Sequence, residues 1–164
     1  MSTTSKASPQ KRDEASPAEG FSPQERAAMK VRAAELRAEA RGSRGATKAA
    51  AEEAAVLAKI AEMAVPDRAL AERVHAVVTA AAPELAPKLW YGQPAYAMDG
   101  KVVCFFRSGQ VDKARYSTFG FSTEATLDDD SGLWPTAYAL TEVSEAGAAA
   151  MTQLIRKAVA AARE

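Results

Sequence analysis

The residues best suited to hold a small ligand lie in one short segment, residues 91–96, with the sequence Tyr-Gly-Gln-Pro-Ala-Tyr. Gly92 permits a positive φ, and Pro94 fixes its own φ and favours extended backbone at Gln93, so the segment predicts a rigid corner. The corner could simply pack the core. If the aromatic residues further along the chain share its sheet face, however, an aromatic pocket with polar anchors results. The ligand site that we predict consists of Tyr91, Gln93, Tyr96, Phe119 and Trp134.

A second group of residues suited to chemistry is the acidic run Asp128, Asp129 and Asp130, which precedes Ser131 and Gly132. Carboxylate oxygens bind iron and other hard cations, so these three aspartates form a candidate weak metal site. The three are consecutive, unlike the alternating aspartates of a calcium-binding loop. An exposed acidic turn is the alternative interpretation.

Basic residues recur at helical spacing near the N-terminus: Arg26, Lys30, Arg37 and Arg41, with Arg44 beyond them. Such a stripe could contact phosphate groups without sequence preference. Ordinary solvated charge beside an apolar helix face is the alternative.

No residue combination typical of an enzyme is visible. Cys104 lies in an apolar strand segment, where burial raises the pKa of a thiol and makes it less reactive. His75, the only histidine, borders the apolar face of a helix. Phosphate-binding loops, serine nucleophile elbows and zinc-protease motifs are absent from the sequence. We therefore expect a protein that binds rather than one that catalyses.

Composition excludes several further classes. The 21 basic residues balance the 21 acidic ones, so no net charge attracts the chain to nucleic acid. A single cysteine cannot form an internal disulfide or a thiolate cluster, which favours a reducing, cytoplasmic environment. The sequence contains neither an apolar leader nor a stretch of the roughly 18 apolar residues that spans a membrane.

Helices are predicted in the first half of the chain, after a disordered tail at residues 1–20. Ser22 and Glu25 form a capping box at the start of a helix, and Gly42 ends it. A break at residues 42–45 precedes a second helix at about residues 48–63, and a third helix begins at Asp67. The expected division is a tail at 1–20, a helical extension at 21–64 and an α+β domain at 65–164.

Strands are predicted in the second half, because ten of the eleven aromatic residues lie between Trp90 and Tyr138. Asp99 and Gly100 are suited to a two-residue hairpin turn, and Ser144 is suited to cap a final helix. The pattern predicts an α+β two-layer sandwich: a mostly antiparallel sheet of about five strands with helices on one face, plus the N-terminal helical extension. The predicted strands are Lys88–Tyr91, Ala95–Met98, Lys101–Arg107, Arg115–Phe121 and Ala137–Glu142.

Three segments, in this order along the chain, resemble the YdhG-like family of domains of unknown function. They are residues 89–96 (LWYGQPAY), 101–106 (KVVCFF) and 133–140 (LWPTAYAL). The resemblance covers roughly residues 70–162. It implies a small two-layer α+β fold and, through the label "frataxin-like iron chaperone" that many members carry, iron handling. It implies no established reaction.

Two functional hypotheses follow. The first is a non-enzymatic cytoplasmic domain that binds a small molecule or a partner protein, with iron as the cargo that the family resemblance suggests. The second is an adaptor that docks its basic N-terminal helices on a partner protein or on nucleic acid, although the balanced charge disfavours nucleic acid.

Overall fold

The computed structural model describes residues 20–161, without the side chains of residue 35 and residues 38–43. Apart from Gly20, the predicted disordered tail lies outside the described residues. The described part confirms the predicted α+β fold, with helices packed on a five-stranded antiparallel sheet. In chain order the elements are α1 (Pro23–Glu62), α2 (Asp67–Ala81), β1 (Ala86–Trp90), β2 (Gln93–Met98), β3 (Lys101–Arg107), β4 (Ser117–Phe121), β5 (Ala137–Leu140) and α3 (Glu145–Ala160).

The first helix begins with the predicted capping box. The Glu25 backbone N–H donates to Ser22 Oγ at 3.2 Å, and the Ser22 N–H donates to Glu25 Oε2 at 2.9 Å. The predicted break at residues 42–45 is wrong, because α1 continues through it for a total of 40 residues. Each helical glycine costs only about 1 kcal/mol, and the alanines, arginines and glutamates around the two glycines favour the helix.

The chain divides into two compact units, residues 1–44 and residues 45–164. In the first unit the described residues from Pro23 onward are helical, and the described side chains are exposed. In the second unit Val56 and Ile60, from the last turns of α1, belong to the buried core. The buried side chains of Val56 and Ile60, one helical turn apart, tie the end of α1 to the sheet domain, although both lie in the segment 21–64 that is predicted as a helical extension.

The five strands form an antiparallel meander in the order β1-β2-β3-β4-β5. Asp99 and Gly100, with φ angles of 50° and 81°, make the predicted tight turn between β2 and β3. The final helix has its predicted cap, since Ser144 Oγ accepts a hydrogen bond from the Gly147 N–H at 3.1 Å. Short connections of this kind fix the register of neighbouring strands.

One face of the sheet packs against the helices. Tyr96, Phe106 and Phe119 point from β2, β3 and β4 into the core, where they are fully buried. They pack with apolar side chains of all three helices, such as Val74 of α2 and Ile155 of α3. The bulk that the alanine-rich helices lack comes from these rings.

The other face of the sheet carries a smaller aromatic cluster. Phe105 points away from its buried neighbours, and its ring covers Gly120 so closely that a methyl group there would lie 2.4 Å from a ring carbon. The Trp90 ring lies 5.2 Å from the Phe105 ring. Both rings are half-buried. The large residues are thus divided between the two faces, with the larger share under the helices.

Candidate functional site

The five residues of the predicted aromatic pocket do not line one cavity. Tyr96 and Phe119 are fully buried in the core beneath the helices. Tyr91 is 82% exposed at the tip of the β1–β2 hairpin, and Trp134 lines a separate cavity. Gln93 lines a different cleft, of about 390 Å³. Tyr96 and Phe119 lie on the sheet face that the helices cover, whereas Tyr91 lies in a turn and Trp134 in a loop, so the five side chains do not share a cavity.

Tyr96 belongs to a polar contact inside the core. Its hydroxyl lies 3.0 Å from His75 Nδ1, and burial raises the pKa of its phenol far above the ordinary value. Burial also lowers the pKa of His75, against a smaller opposing effect of Glu53, and raises the pKa of the Cys104 thiol to about 12. The expected rise at Cys104 is confirmed. Burial therefore favours the neutral form of each of these three groups.

The predicted metal site is not assembled. No group of three or more His, Cys, Asp and Glu side chains within residues 20–161 is placed to hold a metal ion. Asp129 Oδ1 accepts a hydrogen bond from the Ser131 N–H at 2.9 Å, and hydrogen bonding from Ser131 holds the Asp129 pKa below its usual range. Asp128, Asp129 and Asp130 are exposed, as in the alternative interpretation of an acidic turn.

Trp134 and Asp128, which belong to different predicted sites, line the same cavity. They line a cavity of about 320 Å³ together with side chains of the β4–β5 connection. Trp134 is half-buried against the core, and Asp128 is exposed.

The basic stripe is exposed at Arg26, Lys30, Arg37 and Arg44, while the side chain of Arg41 lies outside the described part. The Arg37 Nε–H donates to the carbonyl of Ala33, one turn earlier in the same helix.

A polar cleft lies where the end of α1, the start of β2 and the β3–β4 loop meet. We call it the Gln93 cleft. Its volume is about 390 Å³, and its lining residues all belong to the unit 45–164. They are Lys59, Glu62, Met63, Ala64, Gln93, Ser108, Gln110 and Val111.

The orientation of the Gln93 side chain follows from its one hydrogen bond. Gln93 is only 6% exposed, and its Oε1 accepts from the backbone N–H of Ser108 at 3.2 Å. A backbone N–H can only donate, so the amide oxygen must face Ser108 and the amide NH₂ must face away from it. That NH₂ group donates to no described residue, and it is not sealed from solvent. The Gln93 cleft therefore contains an unused amide donor on a buried, fixed side chain.

The hairpin turn before Gln93 positions its backbone. Trp90 pairs with Gln93 across β1 and β2, which leaves Tyr91 and Gly92 as a two-residue turn with φ angles of 50° and 73°. Positive φ at both positions is the requirement of a tight hairpin turn of this length. Gly92 adopts it freely, as the sequence predicts, whereas Tyr91 is strained there.

A buried carboxylate, that of Asp67, forms hydrogen bonds with two of the residues that line the cleft. Asp67 is 6% exposed, and its Oδ2 accepts from the hydroxyl of Ser108 and, at 3.1 Å, from the N–H of Gln110. Asp67 also begins α2, where the helix dipole favours a negative charge. Asp67 lines an adjoining cavity of about 250 Å³, and Gln110 lines both spaces.

The loop between β3 and β4 is held by two further contacts. Gly109 approaches the neighbouring strand so closely that a Cβ on it would lie 2.3 Å from the carbonyl oxygen of Tyr116. Arg107 and Asp112 form a two-point ion pair, with N–O distances of 2.5 and 2.6 Å. Ser108, Gln110 and Val111 are therefore presented on a fixed loop.

The helix start at Asp67 is predictable from the sequence, whereas the contact of Asp67 with Ser108, 41 positions away, is not. Of the cleft, sequence reasoning identified Gln93 alone. Lys59, Asp67, Ser108 and Gln110 become recognisable only once the fold brings residues 59–67 close to Gln93 and to the β3–β4 loop.

Comparison of the chain with protein-family models, curated proteins and solved structures found no match in any of the three. Among the described helices, none combines the length and the apolar character that crossing a membrane requires. The function is therefore inferred from the geometry of the Gln93 cleft.

Proposed function

We propose that the unit 45–164 is a non-enzymatic binding domain, and that the Gln93 cleft takes a small molecule with a carbonyl or carboxylate oxygen. The observation that carries the proposal is the buried amide of Gln93, whose NH₂ group has no acceptor among the residues that the structure describes. The half-buried Lys59, which lines the same cleft, adds positive charge. An acceptor oxygen, above all an anionic one, complements this donor set.

Binding is favoured over catalysis by the partners of the polar groups. The Ser108 hydroxyl donates to a carboxylate, Asp67, and the only histidine is hydrogen-bonded to Tyr96 in the core. A serine nucleophile is normally activated by an adjacent imidazole or amine base. The Asp67–Ser108 contact instead fixes the cleft wall.

The side-chain amide of Gln93 is itself the best reporter of binding. We expect its ¹H and ¹⁵N resonances to shift on titration with 4-methylpentanoate, a small aliphatic carboxylate. Gln93→Glu keeps the oxygen that faces Ser108 but removes the donor, so affinity should fall at least about tenfold. Gln153→Glu makes the same charge change on the exposed face of α3 and should leave affinity unchanged. Unmoved Gln93 resonances, or equal effects of the two variants, would overturn the proposal.

Iron handling and membership of the YdhG-like family stay predictions that rest on the three resembling segments. The proposal here does not depend on them, since Asp128, Asp129 and Asp130 lie outside the Gln93 cleft. A cytoplasmic location likewise remains an expectation from cysteine usage.

The exposed apolar side chains of the first unit favour a second candidate function, docking on a partner protein. Met29, Val31 and Leu36 are each about half exposed on α1. An isolated helix is marginally stable in water, so such a surface gains stability from a partner. Deleting residues 1–44 should abolish partner binding and leave the melting temperature of the unit 45–164 unchanged. A large fall in melting temperature would instead assign the segment to the fold.

A further inference from the structure

Two opposite charges line the Gln93 cleft without neutralising each other. Lys59 and Glu62 lie in the last turn of α1, three residues apart, and both face the cleft. Neither forms an ion pair with another described residue. A cleft that needed only an anion would gain nothing from Glu62, so the pair suggests a ligand with both charges.

The spacing of the pair suits a compact zwitterion. Residues three apart on a helix have Cβ atoms about 5–6 Å from each other, on the same side of the helix. In an α-amino acid a single carbon atom separates the ammonium group from the carboxylate. Both ligand charges can then be reached from one turn of helix, and the Gln93 amide can donate to the carboxylate.

The end of α1 adds to the attraction for an ammonium group. The last carbonyl groups of a helix carry partial negative charge, which favours a cation near them. Glu62, Met63 and Ala64 line the cleft at this helix end. The ammonium group is therefore expected beside Glu62, and the carboxylate beside Lys59 and Gln93.

Beside the polar residues Ser108 and Gln110, the lining of the cleft has an apolar part. Met63 is half-buried, and Val111 is 58% exposed on the β3–β4 loop. Together with Ala64 they offer an aliphatic wall to a side chain of moderate size. Burying apolar ligand surface against this wall adds affinity without polar partners.

From these observations we propose that the Gln93 cleft selects zwitterionic α-amino acids with aliphatic side chains. This inference rests on the proposed function, because it specifies the ligand class of the same cleft.

Three matched probes test the inference: L-leucine, its analogue without the amino group (4-methylpentanoate) and its analogue without the carboxylate (3-methylbutylamine). Titrations of the full chain, followed by the Gln93 side-chain resonances, should rank L-leucine first. We expect 4-methylpentanoate to bind about fivefold more weakly than L-leucine, since it lacks the ammonium group and the exposed Glu62 attracts that group only modestly. The amine should bind weakest, because it offers nothing to Gln93.

Variants of Glu62 separate the inference from the proposed function. Glu62→Gln should lower the affinity for L-leucine about fivefold and leave the affinity for 4-methylpentanoate unchanged or slightly higher. Glu72→Gln, the same change on the exposed side of α2, should alter neither. If 4-methylpentanoate binds as tightly as L-leucine and Glu62→Gln affects neither, zwitterion selection is overturned and carboxylate binding stands. If none of the probes moves the Gln93 resonances, both proposals are overturned.

Discussion

Gln93 and Tyr96 lie three residues apart on the same strand, yet their polar groups belong to different regions of the molecule. The fully buried Tyr96 has its hydroxyl 3.0 Å from Nδ1 of the half-buried His75 of α2. The Gln93 amide has one end bonded to Ser108 and the other end open to a cleft. Burial alone therefore does not distinguish a structural polar group from one that can bind a ligand. An unused donor or acceptor does.

The contrast also shows what the aromatic residues contribute. Phe119 and Tyr96 fill the volume between an alanine-rich helical layer and the sheet, and neither faces solvent. The cleft is instead formed by an amide, a hydroxyl and charged helix-end residues. If this division is correct, substitutions in the core should lower the free energy of unfolding, whereas substitutions in the cleft should lower the affinity for the ligand.

The largest effect is expected in the core, from Phe119→Ala. Removing a fully buried phenylalanine ring should lower the free energy of unfolding by about 3–5 kcal/mol. Urea denaturation followed by circular dichroism measures this change. Tyr91→Ala, at an 82% exposed position, should change stability by less than about 0.5 kcal/mol. Similar losses from the two variants would contradict the division into core and surface.

A smaller effect is expected where the loop supports the cleft. Gly109→Ala places a Cβ against the backbone of Tyr116, so the loop must shift, at a cost of about 1–3 kcal/mol. The shift should also weaken ligand binding, since Ser108 and Gln110 move with the loop. Gly45→Ala is the matched control: it lies in α1 with open space around it and should stabilise the helix by about 0.5–1 kcal/mol. An equally stable Gly109→Ala variant would show that the loop is not held as described.

The Tyr96 hydroxyl should contribute a more modest amount. Tyr96→Phe removes its hydrogen bond to His75 and should lower the unfolding free energy by about 1 kcal/mol, with ligand affinity unchanged. Tyr138→Phe removes a hydroxyl that bonds to no described residue and should have almost no effect. A loss of ligand affinity in Tyr96→Phe would show that the core contact and the Gln93 cleft are not independent.

The smallest expected effect is a pH dependence from His75. Burial lowers its pKa in the folded state below the usual 6.5, so the unfolded chain binds the proton more readily. The resulting stability is fully present above pH 6.5 and declines as the pH falls from 6.5 through the folded-state pKa. Because His75 is the only histidine, His75→Gln should reduce the dependence of the unfolding free energy on pH between pH 5 and 7. If the unfolding free energy of the variant depends on pH as steeply as before, His75 does not cause this pH dependence.

Much of the fold was predictable from local chemistry. The capping box at Ser22 and Glu25, the Asp99-Gly100 turn and the Ser144 cap each depend on residues a few positions apart, and each is confirmed. The length of α1 was not predictable from Gly42 and its neighbours, because two helical glycines cost less than the flanking helix formers supply.

The candidate site was less predictable, because it depends on contacts between distant segments. Asp67 and Ser108 are 41 positions apart, and no sequence spacing relates them. The sequence shows that the aromatic residues are concentrated but not which sheet face the helices cover, so the burial of Tyr96 and Phe119 beneath the helices was not predictable. Gln93 was identified because a local corner fixes it, and that part of the reasoning required no long-range contact.

The free NH₂ group of Gln93 can be tested directly by NMR. In a titration of the ¹⁵N-labelled chain with L-leucine, its side-chain ¹H and ¹⁵N resonances should move progressively to saturation, and Gln93→Glu should remove both the resonances and the binding. Resonances of Gln93 that stay fixed while L-leucine and 4-methylpentanoate are each raised to millimolar concentration would contradict the account.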